Sequence, residues 1–510
     1  MGRIYSILLG MAIVTVMMPE KLNAQSADTI HLNLSFEEAL VKTSSENQSL
    51  KQSEALVKQK EYELKAARGS YMPKISIGAN YTYMSEDIHL DLTSVRDAIT
   101  PLYGALGNYG TFSGVPNPDP ATASVLPVLP DDMSTAAVRS QLLDGLEQIN
   151  SAEWDRTIQK QQFGVVNASF VQPIYMGGKI VLANQAAKLK VEEARLQQSD
   201  KYAQVYSELV QRYFALVLSK QVREVREQVL QTMKAHYSDA EKMMEQGIIA
   251  NAQFLHAKVY LSDAERELKK AKRQEDIVNQ ALLNTLAIDS NMYIEPLSNL
   301  FYLKEIEPLD YFFQTASENS PLLQQVDKKI ELADKAYKAE KSEYMPTIAA
   351  MGTYDIFNKD LSPYVPDYMV GVGLKWNLFE GVSRPNKVKA AKYQLQQAQN
   401  YSEKAGSDIS TAINKQYQEI NMYLEQLNEL ESAMSFADEY YRVTEKAFNQ
   451  GMSTTTEVSD ARLQVAKVKI EQITAVYQFD LALSKLLYYA GIPDSFSAYQ
   501  QNTNAIYLSF

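Results

Sequence analysis

The sequence predicts an α+β membrane protein in which one strand hairpin followed by one long helical hairpin occurs twice. Three observations support this prediction. The segment 170–177 has a counterpart 204 positions later, at 374–381. Each copy ends a run of alternating residues, which is typical of a strand with two unlike faces. Each copy also opens a long charged segment with helix-forming composition. The chain is therefore predicted to contain two repeats of one unit.

The composition excludes several classes of protein. Of 510 residues, 45% are hydrophobic and the mean hydropathy is −0.29, which argues against a polytopic helical membrane protein and against long disorder. The formal net charge of −12, without a basic stripe, argues against a nucleic-acid partner. The sequence has no cysteine, so it can form neither a disulfide nor a lipid-modified cysteine.

Residues 1–24 are predicted to be a secretory signal peptide. Arg3 supplies the positive start, and residues 7–18 form a largely apolar run that is too short to cross a bilayer. Residues 22–24 precede the predicted cleavage site. A short buried helix is the alternative; a signal peptide predicts export.

The first repeat is predicted at 25–288. Helical sequence over 35–67 breaks near 44–47 and ends before Pro73, because the residue before a proline is pushed out of the helical region. A later segment, 179–246, contains neither proline nor glycine, and apolar residues beyond it recur at the spacing of a coiled-coil seam. The remaining predicted elements are strands at about 73–83 and 163–175, a loop insertion at 84–162 with a helix at 134–154, and a helical hairpin at 179–287 with its tip at Gly247.

The second repeat is predicted at 309–491, after a connector at 289–308 and before a C-terminal tail at 492–510. Its predicted elements are strands at about 346–357 and 367–379 and a helical hairpin at 382–490 with its tip at Gly451. Pro73 and Pro173 are 100 residues apart, whereas the matching Pro346 and Asn377 are 31 apart. The first strand hairpin therefore carries 69 extra residues.

Four strands in one chain would leave exposed sheet edges, which a lipid bilayer does not tolerate. Single-chain bacterial barrels need at least about eight strands, so several chains would have to close one barrel. The predicted strands have the length that crosses a bilayer when tilted. Aromatic residues near the strand ends fit the membrane interface: Tyr81, Tyr83, Tyr175, Tyr354, Tyr368, Trp376 and Phe379. A soluble sandwich with an aromatic core is the alternative.

On these features the chain resembles the TolC family of outer-membrane factors. The resemblance rests on the strand starts at Pro73 and Pro346, on the two hairpin tips, and on four predicted strand–helix junction residues: Pro173, Gly177, Asn377 and Gly381. It implies a homotrimer in the outer membrane, with four strands per chain in a 12-stranded barrel and a helical tunnel in the periplasm.

The resemblance also implies a function. Members of the family are passive exit ducts of tripartite efflux or type I secretion systems for small molecules or proteins. The implied partners are a periplasmic adaptor (membrane fusion) protein, an inner-membrane pump and outer-membrane lipid. The alternative is a periplasmic coiled-coil scaffold or adaptor protein without a pore, although such a protein would not need two amphipathic strand hairpins.

The resemblance places candidate gate residues at the second tip. In the family, acidic residues six and nine positions after the tip glycine narrow the tunnel, and here these are Glu457 and Asp460. Under threefold symmetry they would form a negative ring. A capping box at 454–457 that merely starts a helix is the competing interpretation of Glu457.

The family often has a basic residue at the place of Ser453, where it locks the closed state, so such a basic lock is absent here. The matching first-repeat residues are Gln253 and His256, the latter either a pH sensor or an ordinary solvated histidine.

The tips themselves are candidate adaptor contacts: Gln246, Gly247, Ile248, Gln450, Gly451 and Met452. Glycine also ends a helix and reverses the chain, so turn geometry alone could explain Gly247 and Gly451. The two roles are compatible.

The sequence predicts no catalytic residues, no metal site and no cofactor. Its four histidines, His31, His89, His236 and His256, lack metal-ligand spacing. The glycines at 371 and 373 lack the third glycine of a nucleotide loop. The insertion at 84–162 is expected at the extracellular end, where it caps the exit, meets a surface partner or is only solvated.

Overall fold

The computed structural model describes residues 30–109 and 133–508. The predicted signal peptide at 1–24 and the middle of the predicted insertion lie outside the described residues. The chain divides into two compact units. The helical unit comprises the described residues up to 64, 185–337 and those from 389 onward; the strand unit comprises those within 65–184 and 338–388. Each unit therefore takes residues from both predicted repeats.

The helices account for most of the described chain. They are α1 (Phe36–Glu46), α2 (Gln48–Arg68), α3 (Thr93–Tyr109), α4 (Met133–Ser151), α5 (Lys179–Glu245), α6 (Asn251–Thr285), α7 (Leu309–Asn319), α8 (Pro321–Ser342), α9 (Ser383–Asn449), α10 (Thr455–Ala490) and α11 (Ser495–Gln500). Within the described residues, none of them has an apolar stretch long enough to cross a membrane.

The strands are shorter and fall into four sheets. They are β1 (Ile30–Leu34), β2 (Lys74–Tyr83), β3 (Ile88–Asp91), β4 (Asp155–Gln159), β5 (Gln162–Met176), β6 (Met292–Pro296), β7 (Phe301–Tyr302), β8 (Thr347–Lys359), β9 (Tyr368–Lys375) and β10 (Ile506–Tyr507).

The strand unit is built on an antiparallel sheet in the order β2-β5-β8-β9. Pairing places Ile75 beside Phe170, and Gly352 beside both Phe170 and Val370, so these residues share one apolar face. The opposite face is polar: Ser76 lies beside Ser169, and their hydroxyl oxygens are 2.7 Å apart. Among the described residues, β2 and β9 are the unpaired edges of this sheet. One apolar face and one polar face are what a membrane barrel strand requires.

The last predicted strand, 367–379, extends four residues beyond the C-terminal end of β9. β9 stops at Lys375, which pairs with Thr347, the first residue of β8, so no partner strand extends further. Beyond it, the carbonyl of Asn377 accepts a hydrogen bond from Arg384 at 2.8 Å, and its side-chain amide donates to Glu380 at 2.7 Å. These bonds turn the backbone toward α9 instead of continuing the ladder.

Pro173 does not lie at a strand–helix junction, contrary to the sequence prediction. It lies inside β5, at a register shift between Pro173 and Tyr175 where the ladder with β8 is interrupted. A proline is tolerated there because its missing N–H costs no regular ladder bond. The turn itself is made by Gly177 and Gly178, whose φ angles are +65° and +87°.

The two junction glycines provide a matched pair for mutation. Gly177 and Gly381 both have positive φ, at +65° and +64°. A Cβ on Gly177 would lie 2.8 Å from the backbone oxygen of Ser342, whereas a Cβ on Gly381 would meet nothing within 4 Å.

We therefore expect Gly177→Ala to lower stability more than Gly381→Ala. Gly381→Ala carries only the left-handed backbone cost of about 1–2 kcal/mol, and Gly177→Ala adds a backbone clash. Thermal unfolding of the two variants measures the difference. Equal unfolding temperatures would show that the close approach of Ser342 does not constrain the junction.

The helical unit is centred on α5 and α10, and α1 and α11 pack against α5. β1 pairs in parallel with β6, and β10 pairs with β7. Phe36 opens α1 after a capping box of Ser35 and Glu38. Its ring lies within 5.4–5.9 Å of the rings of four other aromatic residues: Tyr206, Tyr213, Phe214 and Phe496. The core thus joins the start of the described chain to its end.

The predicted connector at 289–308 is not simply irregular, because it contains β6 and β7. The predicted insertion at 84–162 likewise contains more than one helix. β3 and β4 form a two-stranded ribbon, and α3 precedes the predicted second helix, which is α4.

Candidate functional site

The two helical hairpins reverse through the same turn. At the first tip, the N–H of Gly247 donates to Met244 and that of Ile248 donates to Met243, at 2.9 and 2.8 Å. At the second tip, Gly451 and Met452 donate to Phe448 and Ala447 in the same pattern, both at 2.8 Å. This is the Schellman motif, in which the glycine takes a left-handed conformation. The φ angles of +72° and +74° explain both tip glycines by turn geometry.

The residues that follow the glycines are largely exposed. The side chains of Ile248 and Met452 are 62% and 72% exposed, respectively. Gln246 and Gln450, which precede the glycines, are also exposed. Each tip thus presents one polar and one large apolar side chain to its surroundings, as a docking surface would.

Glu457 starts α10 and is held by its own turn. Its carboxylate accepts from the Ser453 hydroxyl at 2.6 Å and from the Thr454 backbone N–H at 2.9 Å. The Thr454 hydroxyl accepts from the N–H of Glu457 in return, which completes a capping box. The hydrogen bond from Ser453, followed by that from Thr454, holds the pKa of Glu457 below its usual range. The residue is exposed and ionised at neutral pH, so capping and a charged role coexist.

Asp460 lies one turn further along α10 and is tied to the other hairpin. Its carboxylate accepts a hydrogen bond from the hydroxyl of Tyr260, on α6, at 2.8 Å. Burial, and then the bond to Asp460, raise the pKa of Tyr260 to about 12, so its hydroxyl remains a donor at neutral pH. The sequence analysis did not identify Tyr260, because a contact between helices 200 residues apart leaves no local motif.

Thr455 brings the two tips together at a second place. Its backbone carbonyl lies 3.0 Å from Nε2 of His236, and its hydroxyl donates to the carbonyl of Gln253 at 3.3 Å. The His236 ring packs edge-on against Phe448, with ring centroids 4.9 Å apart. Burial lowers the pKa of His236, which favours a neutral ring. Sequence reasoning weighed His256, which is exposed; the histidine that joins the hairpins is His236.

Among the described residues, no group of three or more His, Asp or Glu side chains is arranged to hold a metal ion.

This fold and site can be compared with known proteins. Residues 312–491, most of the predicted second repeat, match the family model described as "Outer membrane efflux protein". Residues 312–491 thus form an outer membrane efflux protein domain, as the resemblance to the TolC family predicts. A search of curated protein sequences found no match.

Solved structures share the fold of this efflux protein over most of its length. The CmeC outer membrane channel of Campylobacter jejuni has a TM-score of 0.68 at 12% identity, covering 91% of this chain and 89% of that one. VceC of Vibrio cholerae has a TM-score of 0.65 at 13% identity, covering 89% and 96%. The open-state MtrE channel of Neisseria gonorrhoeae has a TM-score of 0.63 at 10% identity, covering 90% and 89%.

The match of residues 312–491 and the shared fold decide several sequence predictions. The predicted resemblance, fold class, outer-membrane location and efflux role are confirmed, as is the prediction that this efflux protein is not an enzyme. A periplasmic scaffold without a pore does not fit that family. The gate residues and the adaptor contacts at the tips stay predictions.

Proposed function

We propose that three copies of this chain form one outer-membrane channel that lets solutes leave the cell passively. The open four-stranded sheet is the observation that carries the proposal. One face of the sheet is apolar, and the edge strands β2 and β9 have no partner in the part of the chain that the structure describes. In a bilayer such edges must be paired. Three copies pairing β2 with β9 of a neighbour would give a closed barrel of 12 strands.

The energy for transport would come from partners. We propose that the tips dock a periplasmic adaptor protein, which links the channel to an inner-membrane pump. The exposed Ile248 and Met452 support this proposal, because most of each apolar side chain is open to a partner. The chemistry of the tips fits an efflux system and a type I secretion system equally.

The gate would be formed by carboxylates at the second tip. Glu457 and Asp460 lie three residues apart at the start of α10, and both are exposed in the single chain. Under threefold symmetry each would be present three times around the axis. Such a ring selects cations through its summed negative potential.

Purification from membranes and recording in planar bilayers test the channel. We expect a trimer in detergent, and stepwise conductance that favours cations. A monomeric protein recovered without detergent in the soluble fraction would contradict the proposal. A trimer that gives no conductance steps, even after removal of the tips, would contradict it as well.

Tyr260→Phe tests whether the bond between α6 and α10 restrains the gate. We expect the variant to shift the equilibrium of each chain toward the open state by about twofold to tenfold, as expected for the loss of one partly exposed hydrogen bond per chain. The measurement is open probability in planar bilayers.

Tyr237→Phe is the matched control for this variant. The Tyr237 hydroxyl bonds to Glu241 at 3.4 Å within the same helix, so its loss separates no helices. An equal shift in both variants would show that the bond from Tyr260 has no special role.

A further inference from the structure

Helix α3 carries an apolar stripe that the described residues leave largely uncovered. The stripe consists of Val95, Ile99, Leu102 and Leu106, which recur at spacings of four, three and four residues. Val95, Leu102 and Leu106 are 46%, 57% and 47% exposed, respectively. This spacing is that of a coiled-coil seam, in which apolar side chains of one helix pack against another helix.

The neighbouring helix α4 packs against a different side of α3. A Cβ on Gly107 would lie 3.1 Å from the Leu143 side chain, and one on Gly145 would lie 3.1 Å from the Tyr103 ring. The two glycines thus let the helices approach closely. Because Tyr103 and Gly107 lie about one residue's rotation away from the stripe around α3, the pairing with α4 leaves three of the four stripe residues exposed.

A two-stranded ribbon, formed by β3 and β4, connects the α3–α4 pair to the sheet. The ribbon of β3 and β4 continues the pairing of β2 and β5, with the N–H of Leu92 donating to Trp154 at 2.7 Å at its far end. The loop between β8 and β9 braces this ribbon. Gln159 donates to the carbonyl of Asp360 at 2.9 Å and accepts from the N–H of Ser362 at 2.8 Å.

We propose that the α3 stripes of three copies pack against one another and narrow the exit of the channel. This inference rests on the proposed trimer. The partner is a second copy because β2, the edge strand that must pair with a neighbouring copy, leads through β3 directly into α3. The stripe would therefore lie at the boundary between copies, where symmetry brings it beside an identical stripe.

The dimensions permit this contact. Twelve strands spaced about 4.8 Å apart and tilted by about 40° enclose a ring roughly 25 Å across. A helix of the length of α3 extends on the order of 25 Å at about 1.5 Å per residue, which is enough to reach from the wall to the axis. The stripe contains no charged residue, so its burial leaves no ion unpaired.

Cysteine crosslinking in native outer membranes tests the proposal. The chain has no cysteine of its own, so Leu102→Cys introduces the only thiol. After mild oxidation we expect a covalent dimer of the chain on a non-reducing gel, and Leu106→Cys should give the same product. Asp97→Cys is the control, since Asp97 is exposed and lies on the side of α3 opposite the stripe.

Conductance supplies the second readout. Oxidised Leu102→Cys channels should conduct less than the same channels after reduction, whereas Asp97→Cys channels should not change. The double variant Leu102→Ser with Leu106→Ser should conduct more than the unaltered protein, because serine side chains remove the apolar surface that favours contact between the stripes.

Each outcome bears on the proposal. A Leu102→Cys protein that runs as a trimer on a native gel but forms no crosslinked dimer would overturn the inference and leave the channel intact. A monomer would overturn both. Crosslinking of Asp97→Cys to the same extent would show random collision, and crosslinking of Leu102→Cys to another polypeptide would show a different partner; either result would overturn the inference.

Discussion

Neutralising both gate carboxylates, as Glu457→Gln with Asp460→Asn, is expected to reduce the preference of the channel for cations over anions by about tenfold. In a trimer the double variant removes every negative charge of the proposed ring, and the local potential that concentrates cations is lost. Asparagine at 460 keeps an oxygen that can accept the hydrogen bond from Tyr260. The variant therefore changes charge while retaining the tie between α6 and α10. The reversal potential in a salt gradient across a planar bilayer measures the preference.

Two further observations sharpen this test. Glu245→Gln removes an exposed charge at the other tip, and a loss of equal size in that variant would attribute selectivity to general surface charge. Lowering the pH should also abolish the preference. Because the hydrogen bond from Ser453 and then that from Thr454 hold the pKa of Glu457 below its usual range, the preference should persist to lower pH than a free glutamate would allow.

Phe36→Ala should lower the free energy of unfolding of the helical unit by about 3–5 kcal/mol. The Phe36 side chain is fully buried. Its removal leaves a cavity among rings contributed by α5 and α11, which cannot collapse without disturbing both elements. Urea denaturation followed by far-ultraviolet circular dichroism measures the loss.

Two control variants show whether burial causes this loss. Phe36→Leu should cost less, because it removes fewer atoms from the cavity. Leu297→Ala, at a side chain that is 59% exposed in the same unit, should have little effect. A loss in Leu297→Ala as large as that in Phe36→Ala would contradict the cavity explanation.

The elements that sequence placed well are those with strong local signals. Pro73 precedes β2, which begins at Lys74, because a proline and its restricted neighbour end a helix wherever they occur. The long helix α5 begins and ends within one residue of the 179–246 segment that lacks glycine and proline. Both tip glycines take the left-handed conformation that glycine alone adopts freely.

The features that sequence missed depend on distant residues. β1 is five residues long and pairs with β6 more than 250 residues away, so its alternation is too short to predict a strand. The sequence did not predict α3, because the helix contains Pro101 and proline normally argues against a helix. At the candidate gate, position and charge were readable from the sequence, whereas the bonds from Tyr260 and His236 arise from helix packing.

The ring cluster around Phe36 also limits the stage of export at which the helical unit can fold. Phe36 needs Phe496, so the helical unit cannot complete its core until almost the entire polypeptide has been exported. The strand unit likewise cannot complete its sheet until β8 has been exported, because β5 pairs with β8. Until then, the edge of β5 that pairs with β8 is open. We therefore expect a chain that ends before Phe496 to leave the ring cluster around Phe36 incomplete and to be prone to aggregation.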